Sequence, residues 1–351
     1  MNIVVLLIAC FALGLITIHF LLMLFTPHPI PITEEEKTYT TLPDSAPQHL
    51  PALSDPASIA LSIVVPAYNE ELRLGTMLDE VVEYLTHHKR HHPRQPENSG
   101  TPKFKDGAEI IVVDDGSSDS TTKVAERLAA SWAKYIDGKG IDIRVVTLRT
   151  NRGKGGAVQH GVVHARGRLI LFADADGATR FADLDNLLEA MEKIKDKDGH
   201  GIVIGSRAHL VKSEAVVKRS KVRNALMHGF HLFLRTIGVG GIRDTQCGFK
   251  LFTRPTAQLL FPTLHLHRWA FDVELLLLAS LVVPPIPVVE IPVAWEEVDG
   301  SKIRLGWDSI GMARDLLVLR GNLLFGKWIV PGRAKVESGK VNGHAEVTNG
   351  I

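Results

Sequence analysis

Leu169-Ile170-Leu171-Phe172-Ala173-Asp174-Ala175-Asp176-Gly177 is the stretch on which the fold turns. The apolar run from Arg168 to Ala173 reads as a buried strand, and it stops abruptly on acidic and small residues that suit a turn. Two acids at i and i+2 beyond a strand end can reach one divalent ion. Hard carboxylate oxygens suit Mg2+ or Mn2+, which then bridge a substrate diphosphate. Open α/β sheets bind ligands outside the carboxyl ends of their strands, where this triplet falls. Short acidic triplets are common in loops, so the weight of this one comes from what surrounds it.

Upstream, the chain alternates. Leu61 to Pro66 reads as a strand, and Glu70 to Leu85 has helical spacing in Leu74, Met77, Leu78, Val81, Val82 and Leu85. Ile110 to Val113 is the next strand, Ser118 to Trp132 a helix, Ile141 to Leu148 a strand and Gly155 to Ala165 a helix. This order predicts an α/β fold: a Rossmann-like, mainly parallel sheet with helices on both faces.

Three more segments fall at the matching strand ends: Pro66-Ala67-Tyr68-Asn69-Glu70, Asp114-Asp115-Gly116-Ser117-Ser118-Asp119 and Asn151-Arg152-Gly153-Lys154-Gly155-Gly156-Ala157. Each alone is ordinary turn and N-cap chemistry. All four together on one sheet edge point to a ligand site. Tyr68 offers an aromatic edge for a base, Asp114 and Asp115 offer acceptors for a ring N–H or a ribose hydroxyl, and Lys154 offers charge to phosphate.

In that order and spacing, VPAYNE, DDGSSD, NRGKGGA and DADG resemble a family 2 glycosyltransferase of the GT-A fold, a family that takes nucleotide-sugar donors and inverts the anomeric centre. Three later segments narrow the resemblance: Gly205 to Leu210 (GSRAHL), Asp244 to Phe252 (DTQCGFKLF) and Arg268 to Leu275 (RWAFDVEL). With one N-terminal membrane helix, they resemble the members that glucosylate dolichyl phosphate at the endoplasmic reticulum. The resemblance covers about residues 61–325.

It implies UDP-glucose as donor, dolichyl phosphate as acceptor and a lipid-linked glucose donor for N-glycan precursor assembly as product. It further implies that Pro66, Tyr68, Glu70 and Asp115, with Asp114 beside it, hold the nucleotide, and that Lys154 and Asp174 line the ribose and diphosphate. Asp174 and Asp176 would hold Mg2+ or Mn2+, with Asp176 the principal ligand. Arg207 and Arg223 match arginines that contact the lipid phosphate in related synthases. Asp176, Arg207 and Asp272 are the expected catalytic set. In some mannosyl relatives a Gln stands two residues after the second acid, where this chain has Ala178, which leaves the third protein ligand unassigned.

The chemistry agrees with that assignment. Expelling a diphosphate requires stabilised negative charge, which a divalent ion supplies. The acceptor is a phosphate monoester whose second pKa is about 6, so it needs aiming more than deprotonation, and arginines serve that better than a base. Asp272 or Glu274 remains open as a base or sugar-orienting group, against a plainer reading as acids favoured at a helix N-terminus.

Composition bounds the rest. The 351 residues carry 40 Lys and Arg against 39 Asp and Glu, so net charge gives no argument for nucleic acid. Two cysteines, Cys10 and Cys247, exclude a disulfide-built fold. The mean hydropathy of +0.08 hides one apolar run, Ile3 to Phe25. At about 1.5 Å per residue it spans roughly 34 Å, enough to cross a bilayer. It lacks the basic flank and short core of a cleaved signal peptide.

Residues 1–26 are therefore expected as a transmembrane anchor, 27–58 as a Pro-rich stem, 59–330 as the catalytic domain and 331–351 as a disordered tail. A surface insertion is expected at 87–108, whose four histidines suit a solvated loop better than a metal site. Stretches near 218–236 and 303–330 read as core-facing or membrane-facing helices. Cys10 inside the anchor, and the absence of any Asn-x-Ser/Thr sequon, favour a cytosolic domain. Oligomeric state is left open. Rival readings are GDP-mannose as donor, a processive polysaccharide synthase, which would need several channel-forming helices, and a membrane-anchored nucleotide-sugar-binding protein without catalysis.

Overall fold

The computed structural model of the chain describes residues 3–41, 46–87, 104–212, 238–298, 300, 302 and 305–332. Helix α1 (Ile3–Phe25) leads to a two-stranded antiparallel ribbon, β1 (Thr38–Tyr39) with β2 (Gln48–His49). The alternating strands and helices then follow as β3 (Ile59–Ala67), α2 (Leu74–His87), β4 (Ala108–Asp114), α3 (Thr121–Ile136), β5 (Ile141–Thr147), α4 (Lys154–Val163) and β6 (Gly167–Ala173). It continues through α5 (Leu184–Ile194), β7 (Ile202–Ser206), β8 (Phe249–Thr253), α6 (Arg254–Leu260), α7 (Phe271–Leu281), β9 (Val288–Pro292) and α8 (Leu305–Leu324).

Among the described residues, seven strands form the main sheet in the order β5-β4-β3-β6-β8-β7-β9. Strands β5, β4, β3 and β6 run parallel, as do β7 and β9, while β8 is antiparallel to both its neighbours. The parallel half is buried on both faces: every residue of β4 is buried, and its Ile110, Ile111, Val112 and Val113 are wholly enclosed. β-branched residues fill such strands because helices cover each side. Register sets the functional edge. Ala67 pairs with Asp114 and Asp114 with Thr147, while Val64 faces Phe172, so Asp174 emerges two residues later on the same edge.

The expected fold class is the one observed, with local differences. α2 starts at Leu74 rather than Glu70, because Glu70 to Arg73 form a turn in which the Arg73 N–H donates to the Glu70 carbonyl (3.0 Å). α3 starts at Thr121 rather than Ser118, because Asp119 accepts the Thr121 N–H (2.9 Å) and holds the preceding residues out of the helix. Strands β7, β8 and β9, which complete the sheet, were not assigned from the sequence. The segment expected as a stem is folded onto the domain: Leu53 is buried in the core, and the Thr40 and Leu53 N–H groups donate to Val145 and Val163 carbonyls (3.0 and 2.8 Å). The insertion is bounded by α2 ending at His87 and β4 starting at Ala108, and residues 88–103 lie outside the described residues. So do the stretch near 218–236 and the tail from 333.

Among the described residues one helix, α1, is long and apolar enough to cross a membrane. Its end docks on α8. Leu22 is buried against Gly321, where any side chain would overlap it, and Asn322 Nδ2 donates to Thr26 Oγ1 (2.9 Å). α8 buries Leu316 and Leu319 and exposes Trp307, Ile310, Leu317 and Leu324.

Candidate active site

The loops after β3 and β4 are stitched into one surface by Asn69. Its backbone is left-handed (φ 53°), a conformation Asn tolerates better than most residues. Its N–H donates to Ser117 Oγ (2.9 Å) and its Oδ1 accepts the Ser118 N–H (2.8 Å), while the Glu70 N–H donates to Thr121 Oγ1 (2.7 Å). This turn pushes Tyr68 outward, where its ring stays 39% exposed at the sheet edge beside the partly buried Pro66. Glu70 is paired with Arg73 (2.7 Å) and with Lys302 (2.8 Å), which also donates to the Asn69 carbonyl (2.6 Å) and sits over the Tyr68 ring. Lys302 was not singled out from the sequence, and no local pattern marks it.

Asp114 and Asp115 are both buried and differ in task. Asp114 closes its own turn, accepting from the Ser117 N–H (2.9 Å) and from Thr122 Oγ1. Asp115 reaches the next loop and accepts the Arg152 and Gly153 N–H groups (2.7 and 2.8 Å). Burial pushes its carboxyl up to about 7, against the pull of those two donors, and neighbouring Asp114 adds to the rise.

Gly153 adopts φ 82° and delivers Lys154 as the first residue of α4. Lys154 Nζ lies 2.6 Å from Asp174 Oδ1 and 5.7 Å from the ring centres of Phe172 and Trp269. Burial disfavours its charge, but Asp174, Asp272 and Asp176 outweigh that and raise its pKa. Asp174 fits only because residue 248 is glycine: a Cβ there would overlap the carboxylate, and the Gly248 carbonyl accepts the Asp174 N–H (3.0 Å). Asp176 Oδ1 accepts the Ala178 N–H (3.0 Å), leaving its second oxygen without a hydrogen bond to the described residues.

This donor set suits a particular kind of ion. The described residues hold no group of three or more His, Cys, Asp or Glu that could bind a metal, so no all-protein cage exists among them. Mg2+ and related hard ions, however, bind through one or two carboxylates plus substrate phosphates and waters. Asp174 and Asp176, with Ala178 contributing no ligand, fit an ion shared with a diphosphate.

Asp272, expected in the catalytic set, is enclosed in the domain. Asp272 is 3% exposed, and Lys250 Nζ, itself fully enclosed, donates to it (2.6 Å) and to the Cys247 carbonyl (2.7 Å). Burial raises its pKa against the pull of Lys250 and Lys154. Glu274 is fully buried and accepts the His265 and Leu266 N–H groups (3.0 and 2.7 Å), tying the loop before α7 to the helix start.

Arg207 stands at the end of β7 with its guanidinium over the Trp295 ring (5.5 Å) and donates twice to Asp244 (2.8 and 2.9 Å). Its pKa is raised by that partner although burial opposes the charge. Asp244 is itself held by Glu290, which accepts its N–H (2.8 Å) and that of Arg243 (2.9 Å). Arg223 lies outside the described residues. Lys250, Asp244, Gly248 and Trp269 stood in the segments that carried the family resemblance, but their tasks depend on contacts across the sheet that spacing does not encode.

The sequence model of Glycosyl transferase family 2 matches residues 62–257. The chain is 44% identical over 315 residues to a dolichyl-phosphate beta-glucosyltransferase of Dictyostelium discoideum, covering 88% of this chain and 90% of the relative. The human protein of the same description is 45% identical over 297 residues, covering 84% and 85%. Among solved structures, a glucosyl-3-phosphoglycerate synthase from Mycobacterium tuberculosis, crystallised with Mn2+, UDP-glucose and phosphoglyceric acid, superposes with a TM-score of 0.48 at 20% identity, covering 75% of this chain and 80% of that one.

Proposed function

The chain belongs to glycosyl transferase family 2 and, within it, to the dolichyl-phosphate beta-glucosyltransferases, and from that membership we propose that it transfers glucose from UDP-glucose to dolichyl phosphate with inversion, using Mg2+ or Mn2+. The product is dolichyl β-D-glucosyl phosphate, the lipid-linked glucose donor for N-glycan assembly. The observation that carries the reading is the identity of 44% to 45% with named enzymes of this activity over more than four-fifths of each chain.

The residues divide the work. Tyr68, with Pro66, Glu70 and the Asp114/Asp115 turn, borders the nucleotide. Asp174 and Asp176 hold the divalent ion, which when bound neutralises charge on the departing diphosphate. Lys154, already drawn to Asp174, adds a fixed positive charge to the same group. Arg207, fixed in direction by Asp244, and Arg223 aim the acceptor phosphate. That phosphate arrives ionised, so attack at the anomeric carbon requires no protein base. The enclosure of Asp272 and Glu274 is consistent with a reaction of this kind.

Helix α1 anchors the domain at the endoplasmic reticulum membrane, where a lipid acceptor and a water-soluble donor meet, and the catalytic domain faces the cytosol. Purified protein in detergent with UDP-glucose, divalent ion and dolichyl phosphate is expected to release UDP and form a glucosyl lipid. Turnover with GDP-mannose and none with UDP-glucose would overturn the glucosyl assignment. Protease protection of the large domain on sealed microsomes would overturn the cytosolic orientation.

A further inference from the structure

The segment between the anchor and the first sheet strand contains a buried acid for which the reaction as described has no use. Glu36 is 1% exposed, although it lies in a stretch of polar and proline residues. Its Oε1 accepts the Arg149 N–H (2.9 Å), and its Oε2 accepts the Thr33 N–H (2.8 Å) and Arg152 Nη2 (2.7 Å). Its carbonyl accepts from His160 Nε2 on α4 (2.8 Å) when that nitrogen carries the proton. Burial opposes ionisation of Glu36, but the Thr33 and Arg149 donors and the Arg152 guanidinium overcome it and hold the carboxyl below its usual range.

Arg152 joins the two sides. Its guanidinium is turned away from the cleft into the strap and donates to the Ile30 and Pro31 carbonyls (2.7 and 2.8 Å) as well as to Glu36. Its backbone N–H and that of Gly153 are the donors that grip Asp115 on the cleft side. One residue further, Lys154 faces Asp174. The strap is fixed at its far end too, where Thr26 is bound to Asn322 of α8.

We infer that Glu36 is a positioning residue for the donor site: through Arg152 it fixes the loop whose Arg152 and Gly153 N–H groups hold Asp115 and which carries Lys154 to Asp174. The linker from the membrane anchor is thereby part of the donor-binding structure. A buried pair of this kind is costly to break because the remaining charge is left without its partner. The inference rests on the donor-site reading above.

The test uses the full chain in detergent and measures UDP binding by calorimetry, UDP-glucose kinetics and melting temperature. Glu109→Gln is the control. Glu109 is as deeply buried and also paired with an arginine (Arg166, 2.8 Å), but it sits near the start of β4, at the opposite end of the sheet. Glu36→Gln is expected to raise the UDP Kd and the UDP-glucose KM about tenfold with kcat within about twofold, while Glu109→Gln lowers the melting temperature without moving either constant. Arg152→Lys, which keeps the charge and loses the fork to Ile30 and Pro31, is the second variant and is expected to weaken UDP in the same direction. Unchanged UDP affinity in Glu36→Gln or Arg152→Lys, or equal weakening in Glu109→Gln, overturns the inference. Absence of UDP binding by the unsubstituted protein overturns the donor-site reading instead.

Discussion

Gly248→Ala is the sharpest test of the proposed metal and diphosphate end of the cleft. The added methyl would overlap all three carboxylate atoms of Asp174, and the backbone at Gly248 lies outside the left-handed region, so the effect is steric and not conformational. Asp174 cannot retreat freely, because its N–H is held by the Gly248 carbonyl and its Oδ1 by Lys154 (3.0 and 2.6 Å). Inserting one carbon into such a site typically costs about 1–3 kcal/mol. If about 2 kcal/mol of that appears as lost alignment of Asp174, the transfer rate falls about 30-fold. The assay is UDP release with dolichyl phosphate across a Mn2+ titration, paired with a thermal melt. Gly241→Ala is the reference, since nothing lies within 4 Å of its added carbon. The expected pattern is a large loss of kcat/KM, a higher Mn2+ requirement and a melting temperature lowered by only about 2–6 °C. A Gly248→Ala enzyme within about twofold of the Gly241→Ala rate would refute the claim that Asp174, held where it stands, serves the reaction.

Asp176→Asn is expected to abolish turnover while leaving the melting temperature within about 2 °C, because its side chain accepts one local N–H and closes no buried pair. Asp272→Asn should instead lose about 3 kcal/mol of stability by stranding the enclosed Lys250, and Asp272→Asn with Lys250→Met should regain most of it, as measured by denaturant unfolding. For Asp115 the folded pKa of about 7 exceeds the ordinary 3.8, so the folded state holds a proton that the unfolded state releases between those values. Wild-type stability should therefore fall relative to Asp115→Asn as pH rises from about 4 to about 7 and run parallel above that, and a pH-independent difference would contradict the assignment. Arg223→Ala should raise the KM for dolichyl phosphate with little change in that for UDP-glucose, and unchanged acceptor dependence would return Arg223 to a surface role.

The strands and helices from Leu61 to Ala173 were legible because the physics that forms them is local: continuous β-branched runs for strands buried on two faces, and a 3.6-residue period for the helices covering them. That Tyr68, Asp115, Asp174 and Asp176 share one sheet edge was legible for a related reason, since each lies just beyond a strand end and parallel register brings those ends together. The surroundings of Asp272 were not legible. A helix N-terminal acid looks the same in sequence whether it faces solvent or an enclosed lysine, and Lys250, its partner, is 22 residues away on an antiparallel strand. The segment before β3 reads as a stem because proline and polar residues carry no apolar period, yet Leu53 and Glu36 bind it to the domain from single positions.

By itself, then, the sequence determined the alternating α/β order, the sheet edge at which the motif residues gather, the apolar N-terminal helix and the family resemblance, because each of these is written in neighbouring residues or in the spacing of short motifs. Only the tertiary structure decided how charge is arranged around that edge. It pairs Lys154 with Asp174, encloses Asp272 with Lys250, turns Arg207 toward Asp244 and sets Glu36 beneath Arg152. The physical reason is that each of these four ion pairs joins residues 20 to 116 positions apart in the chain, and its partner is chosen by the fold and by the desolvation each charge undergoes there.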